Sequence, residues 1–261
     1  MTATLAQVLA GFERLAVAVS GGVDSMTLAW LAQRQLGAAV TVFHAVSPAV
    51  PALATARVRS HASRAGWQLR VIDAGEMADP RYLANPVNRC FFCKLDLYGT
   101  IRRHTDDPIA SGANLDDLGD YRPGLKAAAR HGVRHPLVEA GIDKAGVRAL
   151  AAGLGLDDLA ELPASPCLSS RIETGIAIDP ATLALVEQAE ALLRTRLPQA
   201  RTVRVRVRRD RLEVELDRPV LETLDEAARA ELSAAIAVLA TAPRPVSFAP
   251  YARGSAFLHA G

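Results

Sequence analysis

The sequence predicts an α/β protein built on a doubly wound parallel sheet, with a small α+β domain after it. Three observations carry that expectation. Short apolar runs alternate with helix-length amphipathic stretches as far as "RIETGIAIDP". Beyond that point the periodicity changes to two. Half of the 261 residues are apolar and 22% are charged, so the chain can bury a sizeable core.

Leu15–Val19, Val40–Ala45 and Leu69–Ile72 read as buried strands, with Ile109–Ala113 and His135–Val138 as weaker ones. Between them lie helical patterns at Ser25–Leu36, Ala52–Ala65, Leu95–His104, Arg122–His131 and Lys144–Leu154. Strands alternating with helices of this length imply right-handed crossovers and a parallel sheet covered on both faces. Asp179-Pro180 is a helix start, followed by a long helix over Ala181–Arg196. Next, Val203, Val205 and Val207 alternate with Arg204, Arg206 and Arg208, and Leu212, Val214 and Leu216 alternate with Glu213 and Glu215. This predicts a hairpin turning at Arg209-Asp210, with one solvated face. Arg204 would then sit opposite Glu215, and Arg206 opposite Glu213. A helix at Asp225–Ala240 and an apolar stretch at Val246–Ala249 complete the pattern. The expected domains are residues 1–178 and 179–261, with no internal repeat or low-complexity linker.

A formal charge of +2 argues against a protein that mainly coats nucleic acid. The N-terminal stretch lacks a charged region before an apolar run, and no span of membrane-crossing length occurs, so a cytoplasmic protein is expected. There a close cysteine pair is more often metal-binding or catalytic than a disulfide.

"VAVSGGVDSMTLAWLA" joins a buried strand, a glycine turn and a helix start. Gly21 and Gly22 let the backbone turn sharply and bring its N–H groups, including that of Val23, close to an anion. The following helix adds its positive dipole end. Ser20 and Ser25 supply hydroxyls, and Asp24 suits a magnesium ion. The stretch is neither a Walker A loop nor a GxGxxG fingerprint; an ordinary strand-to-helix turn is the plainer alternative. Ser-Gly-Gly-x-Asp-Ser resembles the PP-loop of ATP pyrophosphatases, whose members split ATP between the α and β phosphates and adenylate an oxygen of the substrate.

The three cysteines are Cys90 and Cys93 in "NRCFFCK" and Cys167 in "SPCLSS". Three thiolates are one short of a closed zinc site or of four-cysteine cluster ligation. A 4Fe–4S cluster held by three cysteines leaves one iron open. Zinc with a fourth ligand, a Cys90–Cys93 redox pair, and simple packing of small buried residues are the alternatives. Arg89 and Lys94 flank the pair and favour thiolates.

Together with the PP-loop, "NPVNRCFFCK", "SGANLDDLGDYRPGLKAA", "HPLVEAGIDKAGVRALAAGLGL" and "LPASPCLSSRI" resemble, in this order, the LarE family of ATP-dependent sulfur transferases in nickel-pincer nucleotide cofactor biosynthesis. The resemblance implies adenylation of a carboxylate on a pyridinium dicarboxylate mononucleotide, release of pyrophosphate, then replacement of AMP by sulfur. In one branch a single cysteine gives up its sulfur; Cys167 occupies that place. In another, three cysteines hold a 4Fe–4S cluster that delivers sulfide, and Cys90, Cys93 and Cys167 match it. ATP contacts are expected from Ser20–Ser25, Gly112 and Asn114, with Asp24 on magnesium. A homo-oligomer and an unidentified sulfide donor are expected partners.

The family's "VRVR" strand, matched at Val203–Arg206, implies that Arg204 and Arg206 meet the substrate phosphate; Arg171 is a further anion contact. Cross-strand ion pairing is the alternative, although six arginines in "RTVRVRVRRDR" outnumber two glutamates. Asp116, Asp117, Asp120 and Arg122 suit magnesium, nucleotide orientation or simple helix capping. Lys144 resembles the lysine of a K-x-E-V-R segment in several PP-loop enzymes, with Gly146 where the glutamate falls, and a solvated helix lysine is the alternative. "FAPYARGSAFL" departs from the family's C-terminal pattern by lacking an acid before Tyr251, and "RIETG" replaces "RIPYG". Rival functions are a PP-loop tRNA thiolase, a non-catalytic nucleotide-binding regulator and an ammonia-using amide synthetase.

Overall fold

The computed structural model describes residues 3–119, 121–164, 166–240, 242 and 244–258. In chain order the elements open with α1 (Leu5–Ala10), β1 (Leu15–Val19), α2 (Val23–Leu36), β2 (Val40–Ala45), α3 (Ala52–Ala65) and β3 (Gln68–Ile72). They continue with α4 (Pro80–Leu83), α5 (Arg89–His104), β4 (Ile109–Ser111), α6 (Pro123–Arg130), α7 (Pro136–Glu139), α8 (Lys144–Gly153) and α9 (Asp157–Ala160). The last are α10 (Pro180–Arg196), β5 (Val203–Val207), β6 (Leu212–Leu216), α11 (Arg218–Thr223), α12 (Glu226–Ala237) and β7 (Val246–Pro250). Among the described residues, no helix is long and apolar enough to cross a membrane.

The chain divides into two compact units, one of residues 1–79 with 88–165, the other of 80–87 with 166–261. The division falls ahead of the expected 178/179 boundary because residues 172 and 173 are strapped to β5. Ile172 bridges Val207, and Glu173 N–H donates to the Val207 carbonyl. The short excursion 80–87 joins them through Asn85, whose amide donates to the carbonyls of Glu173 and Ile176, both at 2.9 Å.

The first unit is the expected α/β fold. Its four parallel strands run in the order β3-β2-β1-β4, in register Leu15↔Val40 and Ala16↔Ile109. Both faces are covered. Leu15, Val17 and Val19 belong to one apolar cluster with Met26, Leu28 and Val58, whereas Ala16 joins Phe43, Ile101 and Ile109 in the other. That is why β1 and β2 read as unbroken apolar runs. The edge strand β3, expected to be buried, is not: Gln68, Arg70 and Val71 are exposed and only Ile72 is buried, because among the described residues no strand covers its outer side. Strand neighbours diverge from β1 in opposite chain directions, so its carboxyl end is a topological switch point, where α/β sheets bind ligands. A further expectation fails: His135–Val138 is no strand. Pro136 pre-sets helical φ at the first position of the single-turn α7, and Glu139 turns back to cap the His135 N–H.

The second unit pairs β5 antiparallel with β6, and β6 parallel with β7. The predicted register holds: Arg204 faces Glu215 and Arg206 faces Glu213. The predicted solvated face does not. Arg204, Arg206 and Glu215 are all buried, as are the valines and leucines of the opposite face. Asp179 caps α10 by accepting from Thr182 N–H, with Pro180 at the first helical position.

Candidate functional site

The Ser20–Ser25 turn leaves the carboxyl end of β1 and opens α2, with Asp24 in the helix's first turn. Gly21 adopts φ +80°, and a Cβ there would stand 2.8 Å from the Ala54 carbonyl oxygen. The loop is closed internally by Ser25 Oγ, which accepts from Ser20 N–H at 3.1 Å and donates to the Gly22 carbonyl at 3.3 Å. Gly112, just beyond β4, lies flat against this turn; a Cβ on it would be 2.5 Å from Ser25 N. Glycine is therefore required at both Gly21 and Gly112 for backbone to approach backbone.

Two contacts that no motif announces hold the loop's carbonyls. Arg57, on α3, donates from Nη1 to the Gly21 carbonyl at 2.8 Å. His44, buried at the end of β2, places Nδ1 3.0 Å from the Val19 carbonyl and Nε2 3.0 Å from Thr55 Oγ1. Burial holds the His44 imidazole below its ordinary pKa, with the Val19 carbonyl opposing it. These carbonyls are tied back to α3, the Gly22 N–H donates to Ser20 Oγ at 3.4 Å, and the positive end of the α2 dipole lies at the same turn.

Asp24 is engaged on both carboxylate oxygens. Asn114 Nδ2 donates to Oδ1 at 3.2 Å and Lys144 Nζ to Oδ2 at 2.5 Å. Lys144 is thus drawn into the site rather than left as a solvated helix residue. The acids after β4 serve as caps: Asp117 accepts from Asn114 N–H and pairs with Arg122 at 2.7 Å, while Asp116 accepts from Lys144 N–H. Asp120 lies outside the described residues. A carboxylate at the mouth of an amide-lined glycine turn, with a lysine and an amide beside it, fits a magnesium–nucleotide phosphate.

Cys90 and Cys93 are half-buried near the amino end of α5, three residues apart and therefore on one helical face. They belong to the first unit; Cys167 belongs to the second. Among the described residues, no group of three or more His, Cys, Asp or Glu side chains is gathered as a metal site.

Cys167 is exposed and stands just before a 3₁₀ turn, Leu168–Arg171, without a side-chain capping bond. Arg171, 1% exposed, forms a fork with Glu190 at 2.9 and 3.1 Å. Arg206 pairs with Glu215 at 2.8 Å and reaches the carbonyls of Ser170 and Ala252, both at 3.2 Å. Arg208 turns to Glu213 at 2.6 Å. The Arg206 and Arg208 pairs run diagonally across the hairpin. Arg204 is buried beside them and donates from Nη1 to the Val203 carbonyl at 2.8 Å. Burial and then the like charge of Arg171 bring its pKa down to about 10, against the opposing charge of Glu190.

No family model matches the chain. It is 39% identical to an uncharacterized protein of Synechocystis over 73% of this chain and 72% of the relative. Over 82% of this chain and 78% of the relative, it is 32% identical to the pyridinium-3,5-bisthiocarboxylic acid mononucleotide synthase of Lactiplantibacillus plantarum. An uncharacterized protein of Methanocaldococcus jannaschii is 24% identical over 82% of both chains.

Proposed function

This chain belongs to the LarE family, and on that premise we propose that it is an ATP-dependent sulfur transferase that converts a carboxylate of a pyridinium dicarboxylate mononucleotide into a thiocarboxylate. The observation that carries the proposal is the braced Ser20–Ser25 turn with Asp24, Asn114 and Lys144 at its mouth. Backbone amides of Gly21, Gly22 and Val23 hold ATP phosphates, with Ser20, Ser25 and Gly112 shaping the cradle. Asp24 would hold magnesium, and the Lys144 ammonium beside it would neutralise charge growing on the departing pyrophosphate.

The chemistry balances in two displacements. A substrate carboxylate oxygen attacks the α-phosphorus and the bond to pyrophosphate breaks. A sulfur nucleophile then attacks the acyl carbon and AMP leaves with the oxygen. Arg204 is the contact for the substrate phosphate, with Arg171 and Arg206 adding positive potential around it. Cys90, Cys93 and Cys167 are the proposed ligands of a 4Fe–4S cluster; their thiolates are the donors such a group takes. A cluster held by these residues would supply an iron able to bind sulfide. Cys167 is otherwise the thiol that attacks the acyl carbon; loss of its Cα proton then breaks the Cβ–Sγ bond, releasing the thiocarboxylate and leaving dehydroalanine in the chain.

Exchange of labelled pyrophosphate into ATP, dependent on the mononucleotide, tests the adenylation half; no exchange at saturating magnesium and mononucleotide would refute it. Iron and acid-labile sulfide in anoxically purified protein test the cluster, and stoichiometric zinc without iron would exclude it. The RNA-modifying alternative loses its support here, because two of the arginines that favoured it, Arg204 and Arg206, are buried rather than displayed as a basic stripe.

A further inference from the structure

Arg171 was expected to touch a substrate anion, yet its guanidinium is occupied by the protein. Nε and Nη2 hold the two oxygens of Glu190, and Nη1 lies 2.6 Å from the Pro166 carbonyl, 3.0 Å from the Cys167 carbonyl and 3.0 Å from Ser170 Oγ. Both partners are sealed, Arg171 at 1% and Glu190 at 2% exposure. Glu190 is anchored in turn by Arg194 at 3.0 Å and by the Val205 N–H of β5 at 3.2 Å. The turn is gripped from other sides as well: Ser170 Oγ donates to the Cys167 carbonyl at 2.7 Å, and Tyr82 meets Ser169 at 2.6 Å. Yet the cysteine side chain at the centre of these contacts is exposed.

A buried guanidinium, held by Glu190 and spent on the carbonyls of Pro166 and Cys167, grips the backbone on both sides of the exposed cysteine and so fixes the direction of its Cα–Cβ bond. We propose that the Arg171–Glu190 pair is the positioning device for the Cys167 sulfur, with Arg171 acting through the peptide and never touching substrate. The inference rests on the role assigned to Cys167 above and deepens it. It divides the expected anion-binding arginines into two jobs: Arg204 meets the substrate, and Arg171 aims the thiol. Lysine cannot take over, because one ammonium lacks the planar fork that engages Glu190 while reaching two carbonyls.

The test uses the full chain with Arg171→Met, Arg171→Lys and Glu190→Gln, the last keeping the shape of the buried glutamate. Cys167 alkylation by a neutral reagent is followed peptide by peptide in iron-free protein, beside ATP affinity and the rate of thiocarboxylate formation. The expected result is that all three variants change the Cys167 alkylation rate and lose about 10- to 100-fold in sulfur transfer, the scale of a misplaced reacting group. ATP affinity stays at the wild-type value, since the phosphate turn lies in the other unit. Should Arg171→Met fail to fold, Glu190→Gln alone carries the test. Wild-type alkylation and transfer rates in a folded Glu190→Gln or Arg171→Lys variant would overturn the inference. Cys167→Ala separates the two claims. If it still transfers sulfur, the role of Cys167 fails; if it is inactive while the Arg171 and Glu190 variants behave as wild type, only the positioning claim fails.

Discussion

Lys144 Nζ lies 2.5 Å from Asp24 Oδ2, although the two residues are 120 positions apart in the chain. The carboxylate proposed to hold magnesium thus carries its own counter-charge, which a metal ion would displace toward the phosphates. Lys144→Ala is expected to slow pyrophosphate exchange by roughly 10- to 100-fold, the worth of a hydrogen bond to a charged group at about 1.5–3 kcal/mol. Asp24→Asn should abolish magnesium-dependent exchange. Because both side chains are partly exposed, neither change should move folding stability by more than about 1 kcal/mol, which thermal melting checks.

The close approach of Gly112 to Ser25 predicts a sharp contrast between two glycines. Gly112→Ala forces a Cβ to within 2.5 Å of backbone that cannot give way. It should lower the melting temperature by several degrees and remove ATP binding. Gly153→Ala, at the end of α8 with no heavy atom within 4 Å of its Cβ position, should stabilise by about 0.5–1 kcal/mol and leave activity unchanged. Calorimetry and nucleotide titration on the two variants distinguish these outcomes.

Arg57 predicts a separation of binding from folding. Its bond to the Gly21 carbonyl holds the phosphate turn, and burial lowers its pKa while the nearby Asp158 charge partly restores it. Arg57→Met should weaken ATP binding about tenfold, consistent with one charge-assisted hydrogen bond, with far-ultraviolet circular dichroism unchanged. An unaltered dissociation constant would show that the turn holds its shape without α3.

Much of this arrangement is legible in the sequence. β1, β2 and α3 fall where the periodicity places them, because both sheet faces are covered and Pro51 and Gly66 punctuate the helix. The hairpin register follows from its turn and period-two pattern. Burial of its charged face does not. Alternation reports which residues share a face, whereas the carbonyls of Ser170 and Ala252 that receive Arg206 come from distant segments. Arg57, His44 and Glu190 were missed for the same reason: each acts through a partner 15 or more residues away, and none stands in a motif. The one visible sign was the unbalanced arginine count, which pointed to an anion without separating Arg204 from Arg171.

Glu190 makes acid stability a test of the buried network. Burial alone would raise its carboxyl pKa, but Arg171, with Arg204 and Arg194, outweighs burial and holds it below the ordinary glutamate value. The stability it contributes is therefore complete above the unfolded-state pKa of about 4.3 and is lost as pH falls through the lower folded-state value. Removing one partner of such a pair costs about 3–5 kcal/mol. Glu190→Gln should be less stable than wild type at neutral pH, with the difference shrinking as pH is taken below about 4. A constant difference across that range, measured by denaturant titration, would contradict the assignment.

The central claim is that ATP cleavage at the Ser20–Ser25 turn drives oxygen-for-sulfur exchange on a pyridinium carboxylate. Mass spectrometry of the mononucleotide after anoxic incubation with protein, magnesium, ATP and inorganic sulfide tests it most directly, with AMP and pyrophosphate measured in the same samples. The account predicts a thiocarboxylate product formed in step with both, and none with Asp24→Asn. Formation of AMP and pyrophosphate with the mononucleotide left free of sulfur, or a sulfur-containing product without ATP cleavage, would contradict it.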